Sequence, residues 1–216
     1  VHSITRQDKG FTIVELLIAM ALFSFILLAV STGTIRLINI YQSGVGIRNS
    51  QQFARGFAEE LSQTARPAVS AEVINDGAQT IDTSDGALAV QQDVLCVYTS
   101  VAHNQGSLYY TLRNTGVTNR FDLYKTTIPA GGVCAKPAAP VGQRLNPDTV
   151  SVAQFDATTT GRFVDLSSLS IMANTGLQVS DLSATGPYPI NCRPQVGDQF
   201  CAVTNITASV NTRGIQ

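Results

Sequence analysis

Few residues in this 216-residue chain have side chains that could carry out chemistry. The chain contains two histidines, His2 and His103, no tryptophan and four cysteines, and only 13% of its residues are charged. No Gly-x-Ser-x-Gly motif, phosphate-binding glycine loop or acid–base carboxylate pair stands out. His103 lies in a Gly/Asn turn and is predicted to be a solvated loop residue. We therefore predict that the protein is not an enzyme and uses no cofactor.

The N-terminal segment places one carboxylate where charge is costly. Twenty residues from Phe11 to Val30 include only three polar ones: Thr12, Glu15 and Ser24. A helix of this length spans the hydrocarbon core of a bilayer, and Arg6 and Lys9 before it predict a cytoplasmic N-terminal end. A carboxylate at the centre of a span costs about 2.5–3.5 kcal/mol, and less near an end. A cation at similar depth should therefore compensate Glu15, for which a plain anchor has no use. A secretory signal peptide has a shorter apolar region and a small-residue cleavage site, to which Ala29-Val30-Ser31 is a poor match.

The residues around this carboxylate form a processing motif. The sequence from Lys9 to Leu17, KGFTIVELL, resembles the start of the type IV pilins and secretion pseudopilins. The resemblance covers the first thirty-odd residues. It implies that residues 1–10 are a leader peptide and that prepilin peptidase cuts between Gly10 and Phe11. It also implies that the new N-terminal Phe11 is N-methylated and that Glu15 becomes the fifth mature residue.

The physical chemistry of the motif agrees with assembly through this helix. Cleavage after Gly10 creates a cationic α-amino group on Phe11, at the edge of the apolar run. In a stack of such helices, Glu15 of one subunit can pair with the Phe11 amine of a neighbour. Both charges are then neutralised in an apolar bundle, which fixes the axial register between subunits.

The four cysteines all follow the apolar segment, in the part predicted to be exported: Cys96, Cys134, Cys192 and Cys201. An even number of cysteines outside the cytoplasm favours two disulfides, and no C-x-x-C spacing indicates zinc. Of the three possible pairings, we favour Cys96–Cys134 and Cys192–Cys201 because they close shorter loops. Asp181 and Asp198 could bind calcium, as carboxylates do in some pseudopilins, but we interpret them as surface acids and predict no metal.

The remaining pattern predicts an α+β fold. Apolar side chains repeat every four residues at Phe53, Phe57, Leu61 and Ala65. Pro67 is a natural stop, so we expect a near-continuous helix over residues 11–66, whose first part (11–30) spans the membrane. The predicted strands of the head, residues 67–216, are Val94–Ala102, Leu108–Arg113, Phe121–Ile128, Phe163–Met172 and Phe200–Asn211. Residues 67–92 and 129–150 are predicted loops. The long helix should pack on an antiparallel sheet, and Gly33 marks either a point of melting in the filament or close helix packing.

These features predict a structural subunit of a type IV pilus-like filament. Its expected partners are other pilin or pseudopilin subunits, prepilin peptidase, the inner membrane and the pilus assembly machinery. Residues 67–216 carry eleven acidic and eight basic groups, so we expect no nucleic-acid partner. Before assembly the protein should cross the bacterial inner membrane once, and afterwards it should belong to an extracellular or periplasmic filament.

The type of subunit is implied by shorter likenesses. Arg55–Arg66 and Ile206–Arg213 resemble segments of the W-type minor pilins and J-type minor pseudopilins, which implies a minor subunit that sits at the tip or starts assembly. The alternatives are a minor pseudopilin of a type II secretion system and a tip adhesin or DNA-uptake pilin. Cell adhesion and twitching motility are the roles open to such a filament.

Overall fold

A computed structural model describes residues 12–83, 86–113, 121–128, 133–173, 182–184, 190–192 and 203–213. The chain divides into two units between Tyr41 and Gln42. The elements, in chain order, are helix α1 (Ile13–Ala65) and strands β1 (Ser70–Thr83), β2 (Gly86–Tyr98), β3 (Gly106–Arg113), β4 (Phe121–Ile128), β5 (Gln143–Arg144), β6 (Val150–Thr160), β7 (Phe163–Ala173), β8 (Leu182–Ala184), β9 (Ile190–Cys192) and β10 (Val203–Asn211).

Helix α1 is continuous over Ile13–Ala65, as the sequence predicts, and Gly33 lies within it. A helix bonds its own backbone groups, which is what a segment in lipid requires. Two hydroxyl groups in its exposed part are also bonded within the helix. Ser24 Oγ donates to the Met20 carbonyl at 2.8 Å, and Thr34 Oγ1 donates to the Val30 carbonyl at 2.8 Å.

The strands form an eight-stranded sheet in the order β1-β2-β3-β4-β6-β7-β10, with β5 paired to β4. The pairings along this order are antiparallel, as predicted. One bridge departs from the expectation, because β2 and β6 run parallel where Gln92 is paired with Phe155. Strands β8 and β9 form a separate antiparallel pair.

The predicted loop over residues 67–92 is wrong, because β1 and the first half of β2 lie there. Its turn-type residues form a β-bulge inside a strand instead of ending it. The register of β1 shifts between Asn75 and Ala78. Gly77 has a φ of 85° and donates its N–H to Asn75 Oδ1 at 2.7 Å. A glycine tolerates this left-handed conformation at no steric cost.

Other strand predictions are confirmed in varying degree. The predicted Leu108–Arg113, Phe121–Ile128 and Phe163–Met172 correspond to β3, β4 and β7. The predicted Phe200–Asn211 corresponds to β10, although residues 200–202 lie outside the described residues. The predicted Val94–Ala102 extends too far, since β2 ends at Tyr98. Most of the described part of the predicted loop over residues 129–150 lacks regular structure. Strand β6 was not predicted.

The C-terminal part of α1 packs on the sheet and supplies part of the core. The Phe57 ring centroid lies 5.9 Å from that of Tyr109 and 6.2 Å from that of Phe155, both in edge-on geometry. Polar contacts flank this interface. Lys125 Nζ donates to Glu60 Oε1 at 2.8 Å, and Tyr109 OH donates to Thr64 Oγ1 at 2.9 Å. The predicted α+β class is therefore confirmed.

One disulfide lies within the described residues and joins Cys96 on β2 to Cys134, with the Cα atoms 6.0 Å apart. Both cysteines are buried. This is the pairing that loop length favours. Cys192 ends β9, and Cys201 lies outside the described residues, so their pairing stays a prediction.

Candidate functional site

The candidate site is the start of α1, where the processing motif lies. Lys9, Gly10 and Phe11 are outside the described residues, and the description begins at Thr12. Glu15 lies in the first turn of the helix and is exposed. A negative side chain in this position is favoured by the unpaired N–H groups and the dipole of a helix N-terminus.

Thr12 and Glu15 bond to each other reciprocally. Glu15 N–H donates to Thr12 Oγ1 at 3.3 Å, while the N–H and the hydroxyl of Thr12 donate to Glu15 Oε2 at 3.2 and 3.0 Å. This is a capping box, in which two side chains satisfy N–H groups that the helix itself leaves unbonded. The Thr-x-x-Glu spacing is the sequence signal of a capping box. Thr12 is therefore a residue of the site, a role that the sequence analysis did not assign to it.

Over residues 13–30 the helix is apolar around its whole circumference, with Glu15 and Ser24 as its polar side chains. Every apolar side chain between Ile13 and Tyr41 is exposed, and Ile13 and Phe25 are each 78% exposed. A helix that is hydrophobic all round belongs in lipid or inside a bundle rather than in water. The described helix is long and apolar enough to span a membrane.

Residues 5–31 match the family model of the prokaryotic N-terminal methylation motif. The motif indicates a prepilin of the type IV pilin or pseudopilin type. No curated protein and no solved structure matches the chain. For a prepilin, the motif implies processing by prepilin peptidase and assembly with other pilin subunits, and with the apolar helix it fits a membrane-anchored precursor.

The second histidine of the chain holds a turn in place. His103 is exposed, with a φ of 54°, and its ring stacks on Tyr98 with the centroids 4.3 Å apart. Its Nε2 lies 3.0 Å from Ser70 Oγ. Tyr98 OH donates to Glu72 Oε2 at 2.9 Å. Burial, and then the contact with Glu72, raises the pKa of Tyr98 to about 12. These contacts tie the β2–β3 turn to β1.

The sheet also contains a carboxyl pair that no spacing in the sequence reveals. Asp93 on β2 is buried and accepts bonds from Gln91 Nε2 at 2.6 Å and from Ala157 N–H at 3.0 Å. Asp156 lies beside it on β6, next to a register shift in the strand. Burial, together with a hydrogen bond and charge repulsion from Asp93, raises the pKa of Asp156 to about 6. The pair forms where β2 and β6 run parallel.

Metal binding has no support within the described part of the chain. No cluster of three or more His, Cys, Asp or Glu side chains forms there. Asp181 and Asp198, which we considered for calcium, lie outside the described residues.

Proposed function

We propose that the protein is a structural subunit of a type IV pilus-like filament, and a minor one that lies at the tip or starts assembly. The observation that carries the proposal is the match to the methylation motif, followed by an exposed apolar helix whose first turn presents one carboxylate, Glu15. Proteins with this motif are structural rather than catalytic.

The proposed mechanism gives one segment two successive environments. Residues 11–30 lie in the inner membrane before assembly, with the N-terminus cytoplasmic because Arg6 and Lys9 precede the span. Prepilin peptidase then cuts after Gly10, with Lys9 and Phe11 flanking the cleaved bond, and Phe11 is N-methylated. The subunit leaves the membrane by exchanging lipid for the apolar helices of its neighbours.

Glu15 is the proposed selector of the next subunit. The two bonds that it accepts from Thr12 both use Oε2, which holds the carboxylate at the helix terminus. Oε1 can then accept a hydrogen bond from the charged Phe11 amine of a neighbouring subunit. An ion pair removed from water is favourable only when its geometry is good, and the capping box supplies a fixed orientation for one partner.

The minor position rests on the likeness of Arg55–Arg66 and Ile206–Arg213 to W-type minor pilins and J-type minor pseudopilins. A filament of this kind leads from the inner membrane to the periplasm or the cell exterior. In that position the head, rather than the helix, would meet other molecules.

The test is the intact mass and N-terminal sequence of the protein purified from its native host. A mature chain that begins at N-methylated Phe11 is expected. A chain that keeps residues 1–10, or one cut near Ser31, would contradict the proposal.

Two substitutions separate processing from assembly. We expect Gly10→Ala to leave an uncut precursor in the membrane, since the site of cleavage is altered.

We expect Glu15→Ala to be cleaved normally but to enter filaments at a small fraction of the wild-type level, measured by immunoblotting of sheared filaments. Ser24→Ala is the matched control, because it removes another polar group from the same span and should assemble normally. Full incorporation of the Glu15→Ala protein would rule out the selector role.

A further inference from the structure

Three arginines from three separate segments line one surface cleft of the head. Arg66 directly follows α1, Arg162 lies in the turn between β6 and β7, and Arg213 follows β10. The cleft has a volume of about 590 Å³. Pro67, Asn211 and Thr212 complete its lining. We call this the arginine cleft.

Backbone hydrogen bonds hold the three segments together. Thr212 N–H and Oγ1 both donate to the Arg162 carbonyl, at 2.7 and 3.0 Å. Arg213 N–H donates to the Ala68 carbonyl at 3.0 Å. Thr212 is buried, so the cleft is built by the fold and does not depend on the chance approach of long side chains.

Most of the other basic side chains of the described head have an acidic partner. Lys125 pairs with Glu60 at 2.8 Å, and Lys136 pairs with Asp76. Arg144 pairs with Asp148 and lies 3.8 Å from Asp122. These contacts show that the head normally neutralises its few cations internally.

The arginine cleft departs from this pattern. Within the described ranges, no carboxylate lies within ion-pair distance of Arg66, Arg162 or Arg213, and all three are exposed. The carbonyl groups at the end of α1 account for a cation at position 66. They do not account for the two arginines that the other segments bring to the same place, where like charges repel one another.

We propose that the arginine cleft binds carboxylates of an acidic segment on a neighbouring filament subunit. This inference rests on the proposed function as a filament subunit. Guanidinium groups match carboxylates with two parallel hydrogen bonds, and three of them can hold more than one carboxylate. A nucleic acid fits less well, because residues 67–216 carry eleven acidic against eight basic groups and the arginines form a compact cleft rather than a stripe.

The test measures binding of a fluorescent hexaglutamate peptide to the full chain in uncharged detergent micelles. We expect salt-sensitive binding that weakens by about tenfold or more in the Arg66→Gln/Arg162→Gln/Arg213→Gln variant. The matched control is Arg48→Gln/Arg55→Gln, which removes two exposed arginines of α1 outside the cleft. Arg162→Gln alone should weaken binding by a smaller factor and covers the case in which the triple variant does not fold.

Several results would overturn the inference. These are no binding by the wild-type chain at low ionic strength, equal binding by the cleft variants, or an equal loss in the control. Stronger competition by single-stranded DNA or by inorganic phosphate than by unlabelled peptide would also overturn it, in favour of a phosphate site. N-terminal sequencing of the protein distinguishes a failure of the cleft proposal from a failure of the filament proposal. A correctly processed chain without peptide binding refutes only the cleft, whereas peptide binding by a chain that is never processed refutes the filament role and leaves a carboxylate site whose occupant is not a filament subunit.

Discussion

At the scale of single residues, we expect the Asp93–Asp156 pair to make the stability of the head depend on pH. The pKa of Asp156 is raised from 3.8 to about 6 in the folded protein. The folded protein therefore binds this proton more tightly than the unfolded chain does. The stabilisation that protonated Asp156 gives is fully present below about pH 4 and is lost as the pH rises through about 6. We expect the free energy of unfolding to fall by about 1–2 kcal/mol over this range, after allowance for solvent screening. Urea unfolding at a series of pH values measures it.

The substitution Asp156→Asn should remove this dependence. An asparagine amide can still donate to Asp93, but it carries no charge, so the variant should be more stable than the wild-type chain at pH 7 and similar to it at pH 4. Glu59→Gln, at an exposed position on α1, is the control and should leave the pH profile unchanged. A profile that Asp156→Asn does not flatten would show that other groups cause the pH dependence.

At the scale of elements, the Cys96–Cys134 disulfide holds a segment that has no strand partner of its own over residues 133–142. Tyr110 supplies a second attachment, since its OH donates to the Val141 carbonyl at 2.7 Å and accepts from Val141 N–H at 2.8 Å. Closing a loop between cysteines 38 residues apart stabilises the fold by about 3–4 kcal/mol in the chain-entropy model. We expect Cys96→Ser/Cys134→Ser to lose about this much and to become sensitive to proteolysis between residues 133 and 142.

The comparison for this variant is the wild-type chain with and without a reducing agent. Reduction should lower the unfolding midpoint of the wild-type chain by more than it lowers that of the double variant, in which Cys192 and Cys201 are the remaining cysteines. If the oxidised wild-type chain and the variant unfold at the same denaturant concentration, the disulfide contributes nothing to the head.

The sequence could predict those elements whose signals are local. The helix follows from an apolar run, a four-residue repeat and a proline, and the capping box follows from a three-residue spacing. Strand β1 was missed because Asn75 and Gly77 are turn residues used in a bulge. Strand β6 was missed because its first six residues are all buried, so its two faces do not alternate in polarity. The carboxyl pair and the arginine cleft form only when segments distant in sequence come together in the fold. The spacing of residues along the chain does not predict such contacts.

At the scale of the whole molecule, the two units differ in how far their apolar side chains are exposed to water. Every apolar side chain from Ile13 to Tyr41 is exposed, whereas Phe57 and Leu61 are 2% and 0% exposed within the core of the second unit. Helix α1 therefore contributes its first part to the exposed apolar unit and its last part to the core of the second unit. Burying two such side chains contributes about 3–6 kcal/mol, which is a large share of the stability of a typical domain.

This division predicts the outcome of two truncations. A chain that begins at Gln42 keeps the core helix, and we expect it to be soluble without detergent and to unfold cooperatively in urea. A chain that begins at Pro67 keeps every described strand but loses Phe57, whose ring packs edge-on against Tyr109 and Phe155, and the buried Leu61. It should therefore aggregate or unfold without a sharp transition. Phe57→Ala in the longer fragment is the intermediate case and should lose about 3–5 kcal/mol. If both fragments unfolded with equal cooperativity, the sheet would be stable alone and α1 would act only as a tether.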